Sequence, residues 1–245
     1  MKRLRGPVRN LLLDALSASD RDLVADELQA FTLERGDVLF EPGQDVVNIY
    51  FPGSGTIAAL VLDLREGATA EATMIGHEGA IGGVISDGDK PAFARGVVQM
   101  SGSALRLAID ALASAQQRSA ALRDHFARYA DCLLAEVLQS VACNAAHDFD
   151  ARLARWLLTL HDRIGHAELL ITQAFIAEML GVQRTYATRV IGNLAGAGAI
   201  EKGRGKIIIK DRRKLERATC ECYARLREHY DRVLPGVYPR PRGVT

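Results

Sequence analysis

Arg184 and Arg189 lie five residues apart in a stretch whose apolar residues, Ala187, Val190, Ile191 and Leu194, recur at helical spacing. That spacing predicts a helix over residues 183–195 with Gln183, Arg184, Thr185, Thr188 and Arg189 on its leading exposed face. A guanidinium in such a place can pair bidentately with O6 and N7 of guanine, and amide and hydroxyl groups can bond other base edges. Further on, Ala199 to Lys210 alternates as a strand, a basic glycine turn and a second strand, carrying Lys202, Arg204 and Lys206. Cations at a strand turn can neutralise phosphates, which gives affinity that ignores sequence and falls steeply with salt. Thr172 and Gln173, at the start of the preceding helical stretch, complete the candidate contact set.

These side chains need a frame. Thr172 can cap a short helix over residues 173–180 whose Phe175, Ile176 and Met179 turn inward, and Gly181 supplies a tight turn into the second helix. A helix pair with an apolar inside and a basic leading face, followed by a two-stranded wing, suits insertion into a DNA major groove. Charge supports this: residues 1–150 carry 13 basic and 21 acidic side chains, residues 151–245 carry 18 and 9, so a net charge of +1 conceals halves of −8 and +9. The basic half is the one suited to meet a polyanion.

From about residue 30 to 110 short alternating runs (37–40, 47–51, 56–62, 72–75, 96–100 and 104–107) are separated by turns such as Glu41-Pro42-Gly43, Pro52-Gly53-Ser54-Gly55 and Asp87-Gly88-Asp89. That texture predicts an antiparallel sandwich or jelly roll, preceded by one or two short helices over residues 8–30 with Ser17 to Asp20 as turn and cap. Residues 118–144 contain neither proline nor glycine. Within them Ala127, Ala130, Leu134, Val137 and Val141 form a seam at alternating three- and four-residue steps, which fits helix pairing with a second copy of the chain. A helix packed only within its own chain is the other reading of that seam. A further helix over residues 151–161, with Asp148 or Asp150 as cap, follows a break at Ala146 to Asp150. The expected fold class is α+β: a jelly-roll domain (1–117), a long dimerisation helix (118–147) and a winged helix-turn-helix with a C-terminal helical extension (148–245).

The chain resembles the Crp/Fnr superfamily of bacterial transcription regulators over nearly its whole length. The DNA-binding half is similar in Ile171-Thr172-Gln173, Met179-Leu180-Gly181-Val182, Gln183-Arg184-Thr185, Arg189 and the Lys202 to Ile209 wing. Gly36 to Gly43, Tyr50-Phe51-Pro52 and Gly76-His77-Glu78-Gly79 resemble that family's cyclic-nucleotide-binding-type jelly roll. Gln99 to Leu105 and Cys220-Glu221-Cys222-Tyr223 resemble a subgroup with no assigned effector. The resemblance implies a homodimer on a pseudo-palindromic site, with RNA polymerase as a further partner if the protein activates. It does not imply cyclic AMP. The arginine of the family's phosphate cassette is missing from Lys90 to Gly96, Arg95 lies three residues late, and Glu78 stands two residues after Gly76. Thr185 stands where many members carry glutamate, so their half-site is not implied either.

No cofactor and no metal is expected. Cys132, Cys143, Cys220 and Cys222 show no CxxC or Cys/His spacing of a zinc site, and Cys220 and Cys222, as alternate helical residues, would diverge. They read as buried structural thiols, and His77 as a turn or surface histidine. Few cysteines, no apolar run of membrane length and a basic start, Met1 to Arg5, that leads to no signal peptide together imply a cytoplasmic protein. No P-loop, GxSxG elbow or HExxH helix suggests an enzyme. The competing reading is a ligand- or protein-binding jelly roll whose C-terminal domain mediates assembly.

Overall fold

The apolar alternation of the first half resolves into two facing antiparallel sheets in a computed structural model that describes residues 2–3, 8–67, 69–82 and 91–240. The expected Met1 to Arg5 start falls largely, and the Asp87 to Asp89 turn and Lys90 wholly, outside the described residues. One sheet has the order β1 (Lys2–Arg3), β2 (Gln29–Leu33), β8 (Gly102–Ala108), β4 (Asn48–Pro52). The other runs β3 (Val38–Phe40), β7 (Arg95–Met100), β5 (Ile57–Asp63), β6 (Thr69–Ile75). Ile49, Phe51 and Leu107 from the first sheet meet Ala58 and Ile75 from the second in one buried cluster. Helix α1 (Leu11–Asp14) adds Leu12 and Leu13, and α2 (Ala18–Ala25), capped by the Ser17 hydroxyl accepting from Asp20 N, adds Val24. This is the jelly roll expected from the pattern: β3 to β8 lie on the alternating runs, while β1 and β2 fall outside them.

After α3 (Ile109–Arg118), Ser119 breaks the helix and caps the next, α4 (Ala120–Ala146), by accepting from Leu122 N at 3.1 Å. Helix α4 has two apolar faces. Leu122, Phe126, Tyr129 and Cys132 are buried in the jelly-roll core. The seam of Ala127, Ala130, Leu134, Val137 and Val141 lies elsewhere around the helix, with Leu134 56% and Val141 64% exposed, and Leu138 beside them 59% exposed. The helix therefore saturates one face within the chain and leaves the predicted seam open.

Helix α5 (Phe149–Ile164) is capped by Asp148, which accepts from Ala151 N at 2.9 Å, and ends at Gly165. It is buried along most of its length and joins the C-terminal part to the first half through Arg163. The guanidinium donates from Nε to Glu78 Oε1 at 2.6 Å and from Nη2 to Glu136 at 2.8 and 3.0 Å, with all three side chains buried. Burial opposes the charge of Arg163, but Glu136 and Glu78 outweigh it and hold the guanidinium firmly in its charged form. The Gly76-His77-Glu78-Gly79 turn is shaped by this packing. A Cβ on Gly76 would stand 2.9 Å from Arg163 Cβ, and one on Gly79 2.5 Å from the Tyr129 phenol oxygen, which bonds both Ala80 N and Ala80 O at 2.9 Å.

The C-terminal extension takes a course the sequence did not announce. Helices α8 (Arg212–Ala218) and α9 (Cys222–Val233) leave the wing, and α9 packs along α4. Leu226, Tyr230, Leu234, Val237 and Tyr238 join the jelly-roll cluster, Tyr230 and Tyr238 with ring centroids 5.2 Å apart. The end of the chain thus packs into the first half of the molecule. Replacing Arg163 by Met leaves two carboxylates buried without a cation and is expected to cost about 3–5 kcal/mol, read as a lower denaturant midpoint. Adding Glu78→Gln and Glu136→Gln should recover part of that loss; an unchanged midpoint in the single variant would mean that the ion pairs do not hold the parts together.

Candidate nucleic-acid interface

Helix α6 (Gln173–Met179) begins where Thr172 Oγ1 accepts from Phe175 N at 3.1 Å. Gly181, with φ of 64°, makes the left-handed turn that a residue with a Cβ would adopt only with strain, and α7 (Arg184–Gly196) follows with Gln183 as its N-cap. Ile176, Ala177 and Met179 of α6 and Ala187, Val190, Ile191 and Leu194 of α7 are buried in one cluster, which fixes the crossing of the two helices. Phe175, expected to point inward with Ile176 and Met179, is partly buried and packs against that cluster, and Ala177 is buried within it.

Gln183, Arg184, Thr185, Thr188 and Arg189 are all exposed on α7, as the spacing predicts. The structure adds what positions them. Thr188 Oγ1 donates to Gln173 Oε1 at 3.0 Å, so the start of α6 and the leading face of α7 are tied together. The Arg189 guanidinium stacks over the Tyr186 ring at 4.8 Å, and that ring packs on Phe149 with centroids 5.1 Å apart. Arg184 opens into a cleft lined by Thr172, Gln173, Gly203, Gly205 and Lys206, and has no bonded partner among the described residues.

The wing is a three-stranded sheet, β10 (Ile200–Gly203), β11 (Lys206–Ile209) and β9 (Glu168–Leu169), in which Ile200, Ile207 and Ile209 are buried. Its three expected cations are not equivalent. Lys202 and Arg204 are exposed and without a partner among the described residues, whereas Lys206 Nζ is 2.7 Å from Glu168 Oε2. Lys206 must surrender that carboxylate before it can serve a phosphate. Glu168 lies on β9, far enough back in sequence that the pairing register of β11 with β9 was needed to reveal it.

Behind the wing a polar network sets α8 against α5. Arg212 donates to His161 Nδ1 at 2.8 Å and pairs with Asp162 Oδ1 at 2.8 Å, and Tyr223 donates to Asp162 Oδ2 at 2.7 Å. Burial first, and then the neighbouring Arg212 and His166 charges, push the His161 pKa down to about 4, so this imidazole is neutral in the folded protein.

The helix pair also touches the jelly roll. Thr69 Oγ1 donates to Glu178 at 3.2 Å, the Gln99 amide donates to Met179 Sδ at 3.0 Å, and the Arg35 guanidinium lies 4.8 Å from the Phe175 ring centroid. Glu71, whose carboxyl burial pushes up, accepts from Gln99 at 2.7 Å and from Trp156 Nε1 at 2.9 Å. Glu78, which stands two residues after Gly76, is 1% exposed and committed to Arg163. His77 sits in its turn as expected, partly buried.

A helix pair with a polar basic leading face, a basic wing and an N-terminal jelly roll joined by a long helix define the class of this protein. Residues 151–218 match the model of the Crp-like helix-turn-helix domain. No curated protein sequence matches the chain. Among solved structures, FixK2 from Bradyrhizobium japonicum superposes with a TM-score of 0.68 at 14% identity, over 79% of this chain and 98% of its own. A putative Crp/Fnr-family regulator from Eubacterium rectale gives 0.63 at 20% identity, over 84% and 96%. TTHB099, a CRP-family regulator from Thermus thermophilus, gives 0.64 at 18%, over 77% and 95%. The chain carries a Crp-like helix-turn-helix domain over residues 151–218 and shares its overall fold with these solved regulators.

The neutral His161 sets a pH dependence for this region. Because its folded pKa lies below the ordinary value of about 6.5, the unfolded chain binds more protons as pH falls between about 6.5 and 4. Its stabilising contribution is complete above that window and is lost through it. The measurement is the difference in unfolding free energy between wild type and His161→Asn as a function of pH, expected to shrink on acidification across the window; a constant difference would mean that the imidazole is not held neutral.

Proposed function

We propose that this chain is a sequence-specific DNA-binding transcription regulator that acts as a homodimer on a pseudo-palindromic site, without a requirement for cyclic AMP. The observation that carries the reading is the exposed face of Gln183, Arg184, Thr185, Thr188 and Arg189, flanked by the wing cations Lys202 and Arg204, which have no partner among the described residues. Base-edge donors on a helix with phosphate-neutralising charge at a fixed offset are what major-groove readout needs. In this reading residues 1–117 are the sensor-type domain, 118–147 the dimerisation helix and 148–245 the DNA-binding part with its extension. RNA polymerase is a further partner if the bound protein activates.

Dimerisation is supported by the open seam on α4. Two recognition helices brought together by that seam would meet successive major grooves about 34 Å apart. Independence from cyclic AMP is supported by the missing cassette arginine and by Glu78, whose carboxylate already neutralises Arg163. Any other effector must bind one arrangement of the two halves better than another, since equal affinity shifts no population.

Selection of genomic DNA fragments by the purified protein is expected to enrich a two-fold symmetric motif. On the enriched site Arg184→Ala should weaken binding by about 1–3 kcal/mol and relax preference at one base pair per half-site. Arg204→Ala should weaken specific and random DNA alike and lower the salt slope by about one. If both variants lose the same amount on specific and random DNA, the division between recognition helix and wing is wrong. Leu134→Glu, placing a charge in the seam, should convert the dimer to monomer in sedimentation velocity while leaving the circular dichroism spectrum unchanged; a dimer that survives this change is held by another surface.

A further inference from the structure

The cysteines do not behave as their spacing suggests. Cys143 and His147 lie one helical turn apart at the end of α4, and Cys220 and Cys222 flank the turn into α9. Cys220 precedes the helix rather than lying in it, so the divergence expected of alternate helical residues does not arise. Cys143 Sγ stands 3.6 Å from Cys220 Sγ, Cys222 Sγ stands 3.6 Å from His147 Nδ1, and no two of the four ligand atoms are more than 4.8 Å apart. We propose that Cys143, His147, Cys220 and Cys222 bind one zinc ion per chain in a closed tetrahedral site.

The distances suit that ion. Tetrahedral bonds of about 2.3 Å to sulfur and about 2.0 Å to nitrogen place neighbouring ligand atoms roughly 3.5–3.8 Å apart. Three thiolates and an imidazole form a soft donor set that favours zinc over magnesium or calcium, and four protein ligands leave no open position for catalysis. The surroundings supply the outer contacts of such a site. His147 Nε2 lies 3.2 Å from Glu221 Oε2, which fixes the tautomer that turns Nδ1 toward the sulfurs. The Gln139 amide donates to Cys222 Sγ at 3.0 Å, and the positive charge of Arg155 acts on Cys143. Three thiolates with a divalent cation carry one net negative charge, which that donor and that guanidinium stabilise. The three cysteines are buried and His147 is half-buried, so the ion would be shielded from exchange.

On binding, the three thiols release their protons to solvent and the thiolates take the metal, with no change of oxidation state. The ion joins the end of α4 to the α8–α9 turn, which lies 77 residues on from Cys143 at Cys220. It fixes the place where the long helix gives way to the C-terminal half.

The test uses the full-length protein purified under reducing conditions. Total metal analysis should give one zinc per chain, and the metal-free protein titrated with cobalt(II) should develop the intense visible bands of a tetrahedral thiolate site, bleached by one equivalent of zinc. Cys143→Ser and Cys222→Ser should lose the stoichiometric metal, while Cys132→Ser, earlier on the same helix and remote from the cluster, should keep it. Octahedral or absent cobalt bands in the reduced wild type overturn the proposal whether or not any variant folds. Metal content unaffected by Cys143→Ser and Cys222→Ser overturns it as well. So does reduced protein that takes up no zinc yet joins Cys143 to Cys220 under mild oxidant, an outcome that would make the pair a redox couple.

Discussion

A guanidinium buried beyond the reach of water must be neutralised where it stands, and the arrangement of this molecule follows from how Arg163 meets that demand. Its two carboxylate partners come from different parts of the chain, Glu78 from the jelly roll and Glu136 from the long helix, while Arg163 itself belongs to the helix that opens the C-terminal half. Moving any one of the three parts by an ångström or two exposes an unpaired charge to low dielectric, at a cost of several kcal/mol. A well-packed apolar cluster in the same place could provide equal stability, because burying an ion pair returns little net energy. It would not provide equal definition, since apolar contacts slide with little penalty whereas these hydrogen bonds have fixed lengths and directions. The ion pairs therefore act on orientation more than on stability.

The contacts around Arg163 extend the same constraint. Glu71, Gln99 and Trp156 form a second polar link between jelly roll and C-terminal half, and Gln99 continues it to Met179 in the first helix of the DNA-binding pair. Met179 is also part of the apolar cluster that carries α7, so the pose of the exposed face of α7 is coupled through packed side chains to the second sheet of the jelly roll. A ligand or partner that displaced β6 would act on α6 directly, through Thr69 and Glu178, without needing a distant relay.

Much of this was legible from residue order. Alternation located β3 to β8 and the two wing strands β10 and β11, the break at Ala146 to Asp150 located α5 and one of its two candidate caps, and the three-four spacing of Ala187, Val190, Ile191 and Leu194 fixed which side of α7 faces out. Local rules suffice there because periodicity and capping are properties of neighbours in sequence. They fail where the decisive neighbour is remote. Arg163 lay beyond the helix expected over residues 151–161 and was given no role, and Lys206 looked like a free cation, until Glu136 and Glu168 were brought beside them. The cysteine cluster was hidden twice over: its halves are 77 residues apart, and the expectation that Cys220 and Cys222 diverge assumed a helix that starts only at Cys222. The extension was legible as helical, but not in its destination, since nothing local tells Tyr230 and Tyr238 that the jelly-roll core has room for them.

Helix α4 is where these constraints meet. Around one side it gives Phe126, Tyr129 and Cys132 to the jelly roll and Glu136 to Arg163; further along, α9 lies against it and Cys143 faces Cys220. Left exposed are Leu134 and Val141 of the seam and Leu138 beside it. Exposed aliphatic side chains at helical spacing lose about 25 cal/mol for each Å² withdrawn from water, which gives a second copy of the same helix a reason to bind there. Because the opposite side of α4 is already bonded to the jelly roll and the C-terminal half, pairing at the seam would transmit the pose of each chain to the other. On the proposed function, the separation of the two exposed α7 faces would then depend on contacts within each chain and on one apolar interface between them, so a shift in either would change the spacing of half-sites the pair can reach.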